Sequence, residues 1–292
     1  MFKKTWKILG FFSIPIMSAV FLMHLMATPA FSVALSALGE KGRITLDEIK
    51  QILKTTRDLS KKNLSDMNLS NLELSSVNFW DANLSLANLS KANLSKANLS
   101  EAWLFAANLT EANLSEANLT EARLSDSNLK GANLRKVNLK DAQVDSNLSF
   151  ANLTEANLTD AVLNMANMYQ TILNKANLSG AMLNSANLRE ADLREANLTD
   201  AELDYANLRR AKLNGAKLTG ANLNGVILVG ADLSGADLSN VDLSGSRLNG
   251  AKLNGADLNG ADVEGADFTG ADLTNVKNLD KVKNRDKAKG LK

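Results

Sequence analysis

Between residues 59 and 273 an apolar side chain returns at every fifth position. There are 44 such centres, and 39 are Leu; the others are Phe79, Val144, Met168, Val263 and Phe268. Two residues before each centre stands Ala in 32 of the 44 cases, with Ser, Thr or Val at most of the rest. Side chains alternate across an extended backbone, so the Ala and the centre face the same way and the Asn or Asp between them faces out. A period of five suits neither a helix nor a flat strand. It predicts three extended residues followed by a two-residue corner, over and over. Turning the same way at each corner gathers every Leu and Ala along one axis, so the pattern predicts an all-β solenoid rather than a layered domain.

Read in fives from Ala82, the chain runs ANLSL, ANLSK, ANLSK, ANLSE and onward to ADLTN, ending at Asn275. This resembles the pentapeptide-repeat family, whose signature is A-(D/N)-L-x-x. The resemblance covers about residues 67–275 and implies a right-handed quadrilateral β-helix with four pentapeptides per coil. Charge supports the 20-residue coil independently. One corner column reads Lys96, Glu116, Lys136, Glu155, Lys175, Glu195, an alternating ladder. Its single 19-residue step, from Lys136 to Glu155, spans the one slip in the frame, between Val144 and Leu148. A corner shortened by one residue, with all four faces kept, is expected there. From Gly215 onward the last corner residue is almost always Gly. A glycine-requiring turn is expected in those coils, and a different turn at the charged corners.

Open ends of a solenoid need covers. Thr45-Leu46-Asp47-Glu48 is a capping box that predicts a helix over 45–56, with Leu46, Ile49 and Leu53 on its inner face, lidding the first coil. Arg57 and Lys62 occupy Ala positions and cannot point inward, so the regular body is expected from 67. At the other end Val276, Leu279 and Val282 suggest a weak helical lid, with a charged tail over 276–292. Four segments result: 1–30 as signal or anchor, 31–66 as the N-terminal cap, 67–275 as the β-helix, and 276–292 as the tail.

The chain has no Cys, and its one His, His24, lies in the apolar N-terminal stretch. Disulfides, thiolate chemistry, His-based catalysis and His/Cys zinc sites are therefore not expected of the repeats. No cofactor is expected, and no enzyme activity. Lys3, Lys4 and Lys7 precede an apolar run from Ile8 to Met26, followed by small residues. Two readings stand, a cleaved secretory signal and an uncleaved membrane anchor. Either one places the repeats outside the cytoplasm, in a periplasm or, as the family resemblance implies, a thylakoid lumen. Net charge is +4 over 1–58, −8 over 59–275 and +5 over 276–292.

Two surface columns are candidates for function. Asp81, Glu101, Glu121, Asp141 and Asp160, then Gly180 and Asp200, stack on one corner, which reads as a Ca²⁺ ladder or as a solvated acidic edge. The face after it carries outward apolar residues, Leu86, Trp103, Phe105, Val162, Met165, Met182 and Tyr205, interrupted by Arg123 and Gln143. Such a patch points to a protein partner or a second copy of the chain, and to an unknown partner rather than nucleic acid. The leading reading is a non-enzymatic exported scaffold or protein-binding rod. The alternative, implied by the resemblance, is a DNA-mimicking inhibitor of a topoisomerase such as gyrase, for which residues 225–275 supply eight acids against Arg247 and Lys252.

Overall fold

The computed structural model describes residues 44–291. The N-terminal signal or anchor lies outside the described residues. Among those described, no helix is long and apolar enough to cross a membrane.

The regular body consists of single-residue parallel pairings rather than continuous strands. Outward middle residues pair with the one 20 positions later, as Asn78 does with Asn98, or 19 later across the slip, as Asn128 does with Asn147. Four such columns run along the molecule, so every coil has four sides. Face 1 contains Asn83, Trp103, Arg123, Gln143, Val162, Met182 and Glu202. Face 2 contains Asn88 through Asn207, face 3 Asn93 through Asp192, and face 4 Asn98 through Asn197. The centres are closed off from solvent from Leu59 to Phe268, and the Ala positions from Val77 to Ala266. With neighbouring coils about 4.8 Å apart, the eleven steps from Asp58 to Lys277 make a column about 53 Å long.

One repeat shows why the sequence has this form. Leu94 N–H donates to Asn113 on the next coil, Lys96 N–H to Ser115, Ala97 N–H back to Leu94, and Asn98 N–H to Val77 on the previous coil. The fifth amide, Ser95 N–H, donates to the side-chain oxygen of Asn93 at 3.2 Å. Backbone donors that no partner satisfies are costly, so the Asn or Asp supplies the acceptor the backbone lacks. Its Nδ2 also reaches across coils; Asn98 donates to Asn78 at 2.9 Å.

The corners depart from expectation. Lys96, Glu116 and Ala106 have φ of 58°, 59° and 52°, in the same left-handed region as Gly220 at 72°. One corner conformation serves both halves, because the corner amide must aim at the next coil whatever side chain follows it. The left-handed cost of a non-Gly residue, on the order of 1 kcal/mol, is accepted wherever a charge is wanted outside. At the slip, Asp145 alone stands between the centre Val144 and Ser146 in the Ala position, and this shortened corner has no left-handed residue. The faces survive it: Gln143 pairs with Val162 and Asn147 with Asn167. Ser127 and Ser146 replace Ala here, with their hydroxyls 3.2 Å apart inside the wall.

Both ends are closed by different means. Helix α1, Leu46–Lys54, carries the expected reciprocal cap, with Glu48 N–H donating to Thr45 Oγ1 and Thr45 N–H to the Glu48 carboxylate. The bond from the Thr45 backbone N–H first, and then one from the Thr45 hydroxyl, hold the Glu48 carboxyl below its ordinary value. Its inner face is centred on Ile49, with Ile52 and Leu53 beside it. Leu46 lies about 60° round at 100° per residue and is exposed. Pairing begins at Asp58, earlier than the expected 67, because Leu59 and Leu64 seat without an Ala partner. Arg57 turns its guanidinium to the carbonyls of Leu53 and Ser75 instead of the core.

Residues 276–291 continue the winding rather than forming a helical lid. Lys277, Lys283 and Lys289 pair with Asp257, Asp262 and Asp267, so the repeat lengthens to six in VKNLDK and VKNRDK. Short 3₁₀ turns at Leu279–Lys281 and Arg285–Lys287 fill the wider corners. Gly290 has φ of 78°, and a Cβ there would meet the backbone of Thr269 at 2.8 Å. Leu291 closes in behind it, buried.

Candidate protein-binding face

Three of the four faces keep Asn at the middle position through most of the N-terminal coils. Face 1 does not. Six consecutive coils carry Trp103, Arg123, Gln143, Val162, Met182 and Glu202, none of which can accept the corner amide as Asn does. The bond is partly recovered from neighbouring coils: Asn184 N–H donates to Asn164 Oδ1, and Asp204 N–H to Asn184 Oδ1, each at 3.0 Å. Other faces lose the Asn or Asp at one or two coils together, such as Ile172 on face 3 and Ile227 on face 2, but face 1 loses it over six consecutive coils.

The seven apolar residues expected on this side all lie on face 1 or on the corner that follows it. Trp103, Val162 and Met182 are face residues. Leu86, Met165 and Tyr205 are corner residues in left-handed conformation, and Phe105 precedes such a residue. Met165 is 72% exposed, Tyr205 67% and Leu86 53%, the three highest values among the exposed large apolar residues, and Trp103 is 42% exposed. They fall into two groups, Leu86–Trp103–Phe105 and Val162–Met165–Met182–Tyr205. Three coil steps separate Trp103 from Val162, about 14 Å. Arg123 spans part of the gap, with its guanidinium 4.1 Å from the Trp103 ring centre. The Tyr205 ring leans over Gly225, where a Cβ would come within 2.6 Å of it. Between the groups, beside the shortened corner, lies a notch of about 360 Å³ that includes Asp126, Asp145 and Met165. Asp145 Oδ1 is shut off there with no hydrogen-bond partner.

The other edge of face 1 is the acidic corner. Asp81, Glu101, Glu121, Asp141, Asp160 and Asp200 are all exposed. Lys140 lies 3.7 Å from Asp141, and Trp80 Nε1 donates to Glu101 at 3.2 Å. Among the described residues, no group of three or more carboxylates or imidazoles is placed to hold a metal ion. The corner between faces 3 and 4 differs: Lys96 pairs with Glu116, Lys136 with Glu155 and Lys175 with Glu195, at 3.6–3.8 Å. The expected continuous ladder is resolved into separate pairs, each Lys leaning toward the following coil.

The sequence reading missed a second aromatic group. Phe150 and Tyr169 meet edge to face, with ring centres 5.5 Å apart, on the corner between faces 2 and 3. Lys130 and Arg189 flank them, 5.7 and 6.0 Å from the rings. The signal was available: an aromatic residue stands where other coils place Ser, Thr, Lys or Glu.

A four-sided solenoid with one five-residue unit per side defines the class. The chain belongs to the pentapeptide repeats family, which matches residues 73–110, 102–141, 144–180, 166–200, 201–240 and 236–275. It is similar to HetL of the cyanobacterium Nostoc sp. strain PCC 7120, a pentapeptide repeat protein involved in heterocyst differentiation regulation, at 35% identity. That match covers 82% of this chain and 97% of HetL, with a TM-score of 0.44. A pentapeptide repeat protein of the Arabidopsis thaliana thylakoid lumen is 34% identical over 34% of this chain and 63% of its own, with a TM-score of 0.24. QnrB1, a plasmid-mediated fluoroquinolone resistance protein, is 21% identical over 67% of this chain and 86% of its own, with a TM-score of 0.34. No curated protein sequence matches the chain.

Proposed function

We propose that the chain is a non-enzymatic protein-binding rod, exported by its N-terminal segment, that docks partners on face 1 and the corner following it. The winding is taken as right-handed, as the family resemblance implies. Export rests on the basic and apolar pattern of residues 1–30, read from sequence. The observation that carries the docking face is the run of six coils without Asn or Asp on face 1. The corner amides after Trp103, Arg123, Gln143 and Val162 lack the acceptor that face 4 supplies in the same coils, and those after Met182 and Glu202 find one only on the preceding coil. A cost borne on one side of a uniform rod is accounted for by a surface that is used. The apolar side chains exposed on that side are the kind that bury on a partner.

A photo-crosslinking residue at Met165, compared with one at Asn157 on face 4, tests this in cells of the source organism. Discrete protein adducts at 165 and none at 157 are expected. Equal adduct patterns at both positions would remove face 1 as the docking side. Against mimicry of duplex DNA stand the bases interleaved with the C-terminal acids: Lys252 between Asp232 and Asp272, and Lys277, Lys283 and Lys289 on Asp257, Asp262 and Asp267. A supercoiling assay with the full chain is expected to show no inhibition of gyrase.

A further inference from the structure

The occupant of face 1 can be specified from the charge and spacing around it, on the reading that this face is the docking side. The apolar residues of face 1 have carboxylates on both flanks. On one flank stand Asp81, Glu101, Glu121, Asp141, Asp160 and Asp200; on the other, Asp126, Asp145 and Asp204. Asp81, Glu121, Asp160 and Asp200 make no ion pair among the described residues, whereas the corner between faces 3 and 4 neutralises itself in Lys–Glu pairs. Like charges stacked at strand spacing repel one another, so this corner is stabilised by whatever brings cations to it. Arg123 is the one base in the face column from Asn83 to Glu202, and it is engaged with Trp103.

The carboxylates repeat along the rod axis at about 4.8 Å. A helix laid along that axis brings the residues of one flank past at about 5.4 Å per turn. The mismatch is about 0.6 Å per turn, so over five turns it accumulates to about 3 Å, within the reach of flexible Lys and Arg side chains. From Trp103 the second apolar group extends from about 14 Å away, at Val162, to about 19 Å, at Met182. Eleven helical residues rise about 16.5 Å and return to within about 20° of the same face, so they fall inside that span. An extended strand along the axis matches less well, because its same-side residues recur at about 6.6 Å.

We propose that face 1 binds a basic amphipathic helix of a partner protein. The helix lies parallel to the rod axis, with apolar residues eleven positions apart on Trp103 and the Val162–Met182 group. Its Lys or Arg flank faces the carboxylate column from Glu101 to Asp160.

The test uses the full chain and a labelled 18-residue helix-forming peptide with leucines on one face and lysines on one flank, followed by fluorescence anisotropy. Binding that weakens with salt is expected. Trp103→Ala is expected to weaken it at least tenfold. The fourfold variant Glu101→Gln, Glu121→Gln, Asp141→Asn and Asp160→Asn is expected to weaken it comparably and to flatten the salt dependence. These swaps remove charge while keeping side-chain size, and circular dichroism checks the fold of each variant. The control Glu116→Gln, Glu155→Gln and Glu195→Gln on the corner between faces 3 and 4 is expected to leave binding unchanged. An equal loss in that control means diffuse charge attraction and overturns the proposal. So does equal binding of a peptide of the same composition with its lysines scattered round the helix. Sedimentation showing that face 1 pairs two copies of the chain, with Trp103→Ala separating them, overturns it in favour of a homodimer. If the peptide fails to bind while Met165 still crosslinks to a protein in cells, the helix is wrong and the docking face stands. If the Met165 adducts are also absent, the docking face itself fails.

Discussion

Through the same coils of the rod, face 4 presents Asn118, Asn138, Asn157, Asn177 and Asn197, while face 1 presents Trp103, Arg123, Gln143, Val162 and Met182. The backbones are equivalent and the centres beneath both are equally buried. On face 4, Asn157 accepts from Thr159 N–H and Oγ1–H at 3.2 and 2.7 Å, and its Nδ2 donates to Asn138 at 2.9 Å. On face 1 the equivalent place makes no such bonds. Inward Leu and Ala are therefore sufficient for the fold, and the outward Asn strengthens it without being required at every coil. Where it is missing on one side only, surface chemistry has taken precedence over stability. The C-terminal coils show a third solution, in which Asp replaces Asn. Asp still accepts the corner amide, as Asp237 does from Ser239 N–H at 3.0 Å, but it has no donor for the preceding coil. Lysines fill that role, and face 3 alternates Asp192, Lys212, Asp232, Lys252, Asp272.

The largest test of this comparison is acid. Burial raises the Asp232 and Asp237 carboxyls, but hydrogen bonds from Ser234 and Ser239 outweigh it and both end below their ordinary value. The Asn284 amide lowers Asp262, and the Thr269 hydroxyl holds Asp267 far down. Groups with depressed folded values contribute stability that is fully present above their unfolded value, about 3.9, and lost as pH falls through the folded value. Protection against hydrogen exchange, corrected for intrinsic rates, should therefore fall in residues 232–272 between pH 5 and 2 before it falls in 78–138. Simultaneous loss in both segments would mean that the Asp and Asn outward positions do not differ as described.

Next in size is Asn157→Val, which puts a face 1 residue type on face 4. It removes three hydrogen bonds and should cost about 2 kcal/mol in urea denaturation. A cost near zero would mean that face 1 gives up nothing. The reverse change, Gln143→Asn, restores an acceptor for the Asp145 amide and should raise stability by about 1 kcal/mol. A loss of stability would show that Gln143 has a structural role of its own. The smallest effect is expected from the exposed pair Lys175–Glu195, 3.7 Å apart. A double-mutant cycle should give at most about 1 kcal/mol at low salt, vanishing at 1 M. Coupling that persists at 1 M salt would indicate a packing contribution from these corner side chains.

Much of the molecule was legible in its residues. The five-residue period, the inward Leu and Ala, the Thr45–Glu48 cap and the assignment of seven apolar residues to one side all follow from local pattern. They follow because a solenoid repeats its own neighbours: a residue's environment is set by what stands 20 positions away, and that residue is of the same kind. The slip was readable for the same reason, since a missing residue shows against a strict period.

Only the tertiary structure decided the rest, and in each case the cause is a contact that the period alone does not contain. Charged corners share the glycine conformation because every corner amide must reach the next coil. The charge ladder breaks into pairs because each lysine leans one way. The tail winds on because a six-residue spacing of Lys277, Lys283 and Lys289 sets each base against an Asp of the last regular coil. The loss of Asn on face 1 was present in the sequence from the start. It became meaningful only once the structure showed that Asn is the acceptor for the one corner amide that the backbone leaves unpaired.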